Sequence, residues 1–153
     1  LFPGSEHAKH DDLVENIYAA VDNGDEWSAA ITRLTQHCGG DYGRIMIWND
    51  AVGNFDFYVS SDDFRRQMWS DYLSYYGALD PRRMGLLTQP PNQVYSCHEF
   101  YDDTYVSRSE YYQDFLLPNG QRYAMGTCLP LEWPLHAFVW HTCAPGVEIG
   151  QLW

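Results

Sequence analysis

Apolar residues recur at helical spacing in two segments near the start of the chain. The first stripe, within residues 11–22, consists of Leu13, Ile17, Ala20 and Val21. It predicts a helix over 11–22 that ends at Asn23-Gly24-Asp25. A second helix is predicted from a stripe of apolar residues ended by Gly39-Gly40: Trp27, Ala30, Ile31, Leu34 and Cys38. Residues 1–10 are expected to be a loose lead-in, and residues 11–153 to form a single domain.

The apolar period then changes from helical spacing to two. Residues 44–48 and 55–59 alternate in this way around the turn-forming segment 50–54, which predicts a β-hairpin. Residues 60–63 supply polar N-cap side chains for a third helix over about 62–76. Its stripe is aromatic and apolar: Trp69, Tyr72, Leu73 and Tyr76, with Phe64 and Met68 at the entry. Asp80-Pro81 is expected to end it, because proline excludes its predecessor from helical dihedral angles.

The last third of the chain predicts one more helix and two more strands. Residues 82–105 are expected to be irregular. Ser107 and Glu110 form an S-x-x-E pattern that predicts a fourth helix reaching Leu117 and ending at Pro118-Asn119-Gly120. Residues 121–129 and 135–143 alternate as strands. This order predicts an α+β fold, an antiparallel sheet flanked by helices, of the PAS or GAF sensor kind.

Composition narrows the classes of partner. The chain has 21 acidic and 9 basic residues and a net charge of -12, which disfavours direct contact with nucleic acid or an anionic membrane. It has no stretch near the roughly 20 apolar residues of a membrane span, so a cytoplasmic protein is expected. The four cysteines form no C-x-x-C pair and are expected to be free, buried thiols.

The sequence contains no recognisable catalytic or metal-binding motif, so neither an enzyme nor a cofactor is expected. His136, His141 and Cys143 are weak metal candidates, because positions 141 and 143 share one face of a strand and position 136 lies on the other. A haem ligand among the 6 histidines is an alternative that no local spacing favours.

The aromatic fraction of 16% favours an amphipathic pocket or an interface. Candidate ligand-binding residues fall into two groups. The helical group is Trp69, Tyr72, Tyr76 and Asp80; the sheet group is Trp48, Tyr58, Tyr123 and Met125. The rings and the carboxylate would contact a small, largely apolar molecule between sheet and helices. The alternative is that both groups are ordinary core. Arg82 and Arg83 are expected on a solvated helix start, or as an anion-binding corner.

Two motifs resemble the amino-terminal sensor domain of LuxR-type helix-turn-helix transcription regulators. One is Tyr76-Gly77-Ala78-Leu79-Asp80-Pro81-Arg82. The other, 108–120, reads RSEYYQDFLLPNG and is followed by Tyr123-Ala124-Met125-Gly126. The same superfamily includes the autoinducer-binding domains. If their contacts carry over, the resemblance implies that Trp69 binds a lactone carbonyl, Tyr72 an acyl carbonyl and Asp80 an amide. The 108–120 motif belongs to a branch whose ligands are mostly undefined, so the ligand stays open.

The resemblance implies a ligand-sensing regulatory domain that works as a homodimer. DNA would be contacted only through a helix-turn-helix domain that this sequence does not include. The alternative is a ligand-free dimerisation or protein-interaction domain of such a regulator, with a filled core.

Overall fold

One antiparallel sheet organises the chain. The computed structural model describes residues 4–61 and 66–143. In that part, five strands pair in the order β2-β1-β5-β4-β3. Their bounds are β1 Tyr42–Asn49, β2 Asn54–Ser60, β3 Tyr95–Ser96, β4 Tyr123–Pro130 and β5 Leu135–Cys143. The predicted hairpin and the two closing strands are confirmed, and so is the α+β class.

Two helices precede the sheet. Helix α1 is Gly4–Asp22 and helix α2 is Trp27–His37, joined by the 3-10 turn Gly24–Glu26. Residues 4–10 are therefore helical, and the expectation of a loose lead-in is wrong for them; residues 1–3 lie outside the described ranges. Helix α2 approaches β1 closely at Gly43, where a Cβ atom would overlap the Thr35 side chain.

The third predicted helix exists, but it is not α-helical throughout. Helix α3 is Arg66–Asp71, a π-helical stretch follows at Tyr72–Tyr76, and α4 is Gly77–Leu79. Its predicted start at Asp62, with the entry residue Phe64, lies outside the described residues. Leu73 is 50% exposed instead of facing the core. The wider π turn, in which the Gly77 N–H donates to the Tyr72 carbonyl, moves Leu73 out of the predicted stripe.

The segment 82–105 was expected to be irregular, and this is wrong. It contains most of α5 (Pro81–Leu87), the short edge strand β3, a 3-10 turn at Cys97–Glu99 and the start of α6 (Asp103–Arg108). Elements of seven residues or fewer are too short to give a clear hydrophobic period. The strongest signal in this segment is therefore Pro90-Pro91, which indicates irregular structure.

The predicted capping box at Ser107 is also wrong. Helix α6 begins earlier, with the Asp102 carboxylate accepting from the Tyr105 N–H at 2.8 Å. The Ser107 hydroxyl donates back to the Thr104 carbonyl within that helix. Ser109 is extended, and a π-helical stretch, Tyr111–Leu116, follows. Gly120 has φ 72°, a left-handed conformation, and ends this region as predicted.

The two faces of the sheet pack against different helices. Even-numbered residues of β1, β4 and β5 face α3 to α6 and form the main core; we call this side the aromatic face. Its central buried residues are Met46, Ala124, Cys128, Phe138 and Trp140. Odd-numbered residues of the same strands face α1 and α2, and we call this side the groove face. No helix in residues 4–61 and 66–143 has the length and apolar content needed to cross a membrane.

Candidate functional site

A buried ion pair lies at the junction of α4 and α5. Asp80 is extended, with ψ 104°, and its carboxylate caps α5 by accepting from the Arg82 N–H at 3.0 Å. The Arg82 guanidinium grips the same carboxylate with two atoms, Nε on Oδ1 at 2.9 Å and Nη2 on Oδ2 at 2.8 Å. Arg82 is 2% exposed, so its predicted place on a solvated helix start is wrong.

Two phenols complete the shell of Asp80. The hydroxyl of Tyr72 donates to Oδ2 at 3.1 Å, and that of Tyr111 donates to the same oxygen at 2.9 Å. Tyr111 also contacts Arg82 Nη2. Burial acts to raise the pKa of Asp80, but the adjoining Arg82 charge and its hydrogen bonds outweigh burial and lower the pKa to about 2. Asp80 is therefore an ionised anchor whose two oxygens already accept five hydrogen bonds.

Arg44 is a second buried guanidinium on the same face. It projects from β1, is 1% exposed, and its Cζ lies 5.4 Å from the ring centroid of Tyr72 and 5.9 Å from that of Tyr42. Its Nε and Nη2 have no hydrogen-bond partner among the described residues. Sequence reasoning missed Arg44. The available signal was a charged residue on the same strand face as Met46 and Trp48, where alternation calls for apolar side chains.

Aromatic rings adjoin this charge cluster. Tyr58 stacks on Trp69 with centroids 3.7 Å apart, and Trp69 stacks on Tyr72 at 5.4 Å. The hydroxyls of Tyr42 and Tyr58 lie 3.3 Å apart. Arg44 is thus bordered by Tyr42 and Tyr72, and the ring stack continues from Tyr72 to Tyr58. We call this set, with Asp80, Arg82 and Tyr111, the Arg–Asp cluster.

The structure brings four predicted site residues together and separates the others. Tyr58, Trp69, Tyr72 and Asp80 all belong to the Arg–Asp cluster. Tyr76 stacks on Phe115 at 4.5 Å, one ring beyond Tyr72, which also contacts Phe115. Whether these residues bind a ligand stays a prediction.

Three sheet candidates lie away from the cluster. Trp48 is on the aromatic face but packs against Arg83, whose Cζ is 3.9 Å from the indole centroid, and its Nε1 donates to Asp50. Met125 lines the groove face, and Tyr123 shares its side of β4. A ligand beside Trp69 would not reach Tyr123 or Met125, because the sheet lies between.

The groove face carries an open apolar groove with a volume of about 710 Å³. Its walls come from α1, α2 and the odd positions of the sheet. They include Ile17, Ala30, Leu34, Ile45, Ile47, Phe57, Met125, Thr127, Leu129, Val139 and His141. His141 is 6% exposed, its Nδ1 lies 3.0 Å from Thr35 Oγ1, and burial lowers its pKa to about 4.

The metal candidates do not converge within the described ranges, where no three His, Cys, Asp or Glu side chains form a metal-binding group. His136 instead lies 2.9 Å from the Asp50 carboxylate. All four cysteines fall in the described part and are free thiols.

The chain matches known proteins by its structure. No family model and no curated protein matches the chain. Among solved structures, the LuxR-family transcription factor CepR2 from Burkholderia cenocepacia, described as N-acylhomoserine lactone dependent, aligns with a TM-score of 0.65 at 13% identity. That alignment covers 95% of this chain and 85% of CepR2. The chain has the fold of LuxR-family ligand-binding domains.

Two other solved structures agree. The ligand-binding domain of VqsR from Pseudomonas aeruginosa gives a TM-score of 0.63 at 13% identity, over 95% of this chain and 82% of that one. SdiA in complex with octanoyl-rac-glycerol gives 0.65 at 12% identity, over 97% of this chain. The chain spans 58% of that SdiA chain. The resemblance seen in the sequence motifs is thus confirmed at the level of fold.

Proposed function

We propose that this chain is a ligand-sensing regulatory domain of a LuxR-type regulator, and that it binds a small, largely apolar molecule between the sheet and the α3 region. The fold supports the class, because CepR2 is described as dependent on N-acylhomoserine lactone and SdiA was solved with octanoyl-rac-glycerol. For this chain the site would be the Arg–Asp cluster, with Tyr58, Trp69 and Tyr72 as the contacting rings.

The observation that carries the proposal is the buried charge in that cluster. Two guanidiniums and one carboxylate lie fully buried between sheet and helices, where apolar side chains would stabilise a mere scaffold at least as well. Buried ionisable groups under aromatic rings are typical of binding sites. Asp80 would then position Tyr72 and Arg82, which changes its predicted role from direct amide contact to support.

Ligand occupancy would reach DNA indirectly. The net charge of -12 disfavours contact between this chain and phosphates, so a separate helix-turn-helix domain would bind the DNA. Ligand would shift the population between two arrangements of a cytoplasmic homodimer in proportion to its differential affinity for them.

A thermal-shift screen followed by calorimetry tests the proposal. The panel is acyl-homoserine lactones, monoacylglycerols, and apolar and aromatic acids. We expect at least one hit, with affinity reduced about tenfold by Trp69→Leu, because the loss of one stacked ring is worth about 1.4 kcal/mol. Ile45→Trp, which adds bulk to the groove face, is the matched control and should leave affinity within about twofold.

The opposite pattern would contradict the proposed site. If Ile45→Trp abolishes binding and Trp69→Leu does not, the ligand occupies the groove. If no member of the panel binds, the sensing role itself is contradicted.

A second candidate function, a protein-interaction domain, is favoured by the groove. Its rim includes apolar side chains that are well exposed: Phe57, Val94, Leu129 and Leu131. Contiguous exposed apolar surface of this kind marks interaction sites. Sedimentation equilibrium of wild type and Phe57→Glu tests whether a second copy covers it. A concentration-dependent dimer that Phe57→Glu dissociates would support this function, and a monomer at all concentrations would contradict it.

A further inference from the structure

The Arg–Asp cluster has an unbalanced charge. Arg44 and Arg82 are each at most 2% exposed, and the Asp80 carboxylate forms an ion pair with Arg82. Ionised, the three groups sum to one positive charge in the interior. An uncompensated buried charge is strongly unfavourable, so the cluster as it stands favours the arrival of one negative charge.

The hydrogen bonds of the cluster lead to the same conclusion as its charge, because donors are in excess over acceptors. The Asp80 oxygens accept from Arg82, Tyr72 and Tyr111, so they offer no vacant acceptor to a ligand amide or hydroxyl. The cluster atoms that have no partner within residues 4–61 and 66–143 are donors, Arg44 Nε and Nη2. A ligand fitted to this site must therefore bring acceptors.

Arg82 shows what those two donors can hold. It binds the Asp80 carboxylate through Nε and Nη2, one donor to each oxygen, at 2.9 and 2.8 Å. The unmet donors of Arg44 are the same two atoms, which lie on one edge of the guanidinium plane. That edge matches the spacing of two carboxylate oxygens and gives a bidentate, charge-assisted pair.

We infer that the ligand of this domain is an organic anion, a monocarboxylate whose carboxylate binds Arg44 side-on and whose apolar body packs toward Tyr72, Tyr58 and Trp69. The inference rests on the proposed function and specifies its ligand class. Both fatty acids and aromatic acids carry this chemistry, so the test contains an arm for each.

The test compares acids with neutral analogues of the same shape by calorimetry on the whole chain. Octanoate against octanamide represents the fatty arm, and indole-3-acetate against indole-3-acetamide the aromatic arm. We expect the acid of at least one pair to bind about tenfold or more tighter than its amide, as for other charge-assisted pairs. The acid–amide pair with the larger difference in affinity shows whether the apolar part of the ligand is aliphatic or aromatic.

Variants then test whether the difference in affinity between acid and amide depends on Arg44. Arg44→Gln should reduce the acid–amide difference to about twofold or less while the amide still binds, and Arg44→Lys should retain part of it. Arg33→Gln removes an exposed positive charge from α2 and should leave the difference unchanged. The wild-type comparison needs no variant, so it stands even if Arg44→Gln fails to fold.

Each outcome decides. Amides that bind as tightly as acids, or a difference that survives in Arg44→Gln, overturn the inference and leave the sensing role in place. If no compound of either series binds, while lactones or monoacylglycerols do bind in the wider screen, the ligand is neutral and the inference is again overturned. If nothing in either experiment binds, the proposed function is lost with it.

Discussion

The two faces of the sheet differ in how completely their side chains are covered and in how polar those side chains are. On the aromatic face, rings and charges interlock around Asp80, and Phe138 beneath them is fully buried. On the groove face, aliphatic side chains of neighbouring positions such as Val139 line an open groove of about 710 Å³. Successive residues of one strand therefore belong to a packed cluster of rings and charges and to an open apolar groove.

The two faces differ in the kind of binding that they favour: the aromatic face favours selective binding, and the groove face favours nonspecific apolar contact. The aromatic face presents few polar groups in fixed directions, which is the arrangement that selects one ligand chemistry. The groove face is almost purely apolar, with Thr127 and His141 as its polar members, so it offers area but little direction. Our proposal accordingly assigns ligand sensing to the first face and a packing or contact role to the second.

The largest expected effect comes from removing the anchor of the aromatic face. Asp80→Ala leaves Arg82 buried without its partner and removes the α5 cap, so the free energy of unfolding should fall by about 3–5 kcal/mol. Urea denaturation measures it. Asp22→Ala, which removes an exposed carboxylate of α1, is the control and should cause only a small change. Stability unaffected by Asp80→Ala would mean that the carboxylate is free to serve a ligand.

The next effect is a pH dependence that originates on the groove face. Burial lowers the pKa of His141 to about 4 from an ordinary 6.5, so the unfolded chain takes up a proton first as pH falls. Stability should be complete above pH 6.5 and fall toward pH 4, by on the order of 2 kcal/mol.

His141→Phe is the control for that slope. It keeps a ring in place and should abolish the decline between pH 6.5 and 4. Asp80, with its pKa lowered to about 2, contributes in a different window: its stabilisation is present above about pH 4 and is lost as pH falls toward 2. Both proteins should therefore still unfold in strong acid. A slope that persists between pH 6.5 and 4 in His141→Phe would refute the assignment.

The smallest effect compares one substitution on both faces. Thr127 Oγ1 is buried on the groove face with no hydrogen-bond partner in the part of the chain that the structure describes, so Thr127→Val should raise the free energy of unfolding by up to about 1 kcal/mol. Thr142 lies on the aromatic face and donates to the Tyr42 carbonyl at 3.3 Å, so Thr142→Val should lower it. Thermal denaturation of both variants gives the two signs, and equal signs would contradict the contrast between the faces.

The sequence predicted the elements whose periodicity is long or whose turn chemistry is strong. The hairpin of β1 and β2, the strands β4 and β5, and the helix end at Asp80-Pro81 were all found in the structure. The short elements between residues 82 and 105 were not predictable, since none spans enough residues to show a period.

The site was predicted in part for a related reason. Trp69, Tyr72 and Asp80 share a helix and its end, so local spacing brings them together. Arg44 and Tyr111 arrive from distant segments, and only tertiary contact reveals them. Tyr123 and Met125 lie on the other side of the sheet from Trp69. The parity of a strand says which residues share a side, and not which side the helices of the site cover.

Both phenols that bind Asp80 come from π-helical stretches, Tyr72–Tyr76 and Tyr111–Leu116. Such a stretch is equivalent to one residue inserted into an α-helix, and each residue of an α-helix advances it by about 100°. Loss of a single residue after Tyr72 would thus restore a regular helix and swing the acid away from its phenol. The number of residues between Tyr72 and Asp80 is therefore a poor guide to this geometry, and superposed backbones are the better way to compare the chain with other structures of its fold.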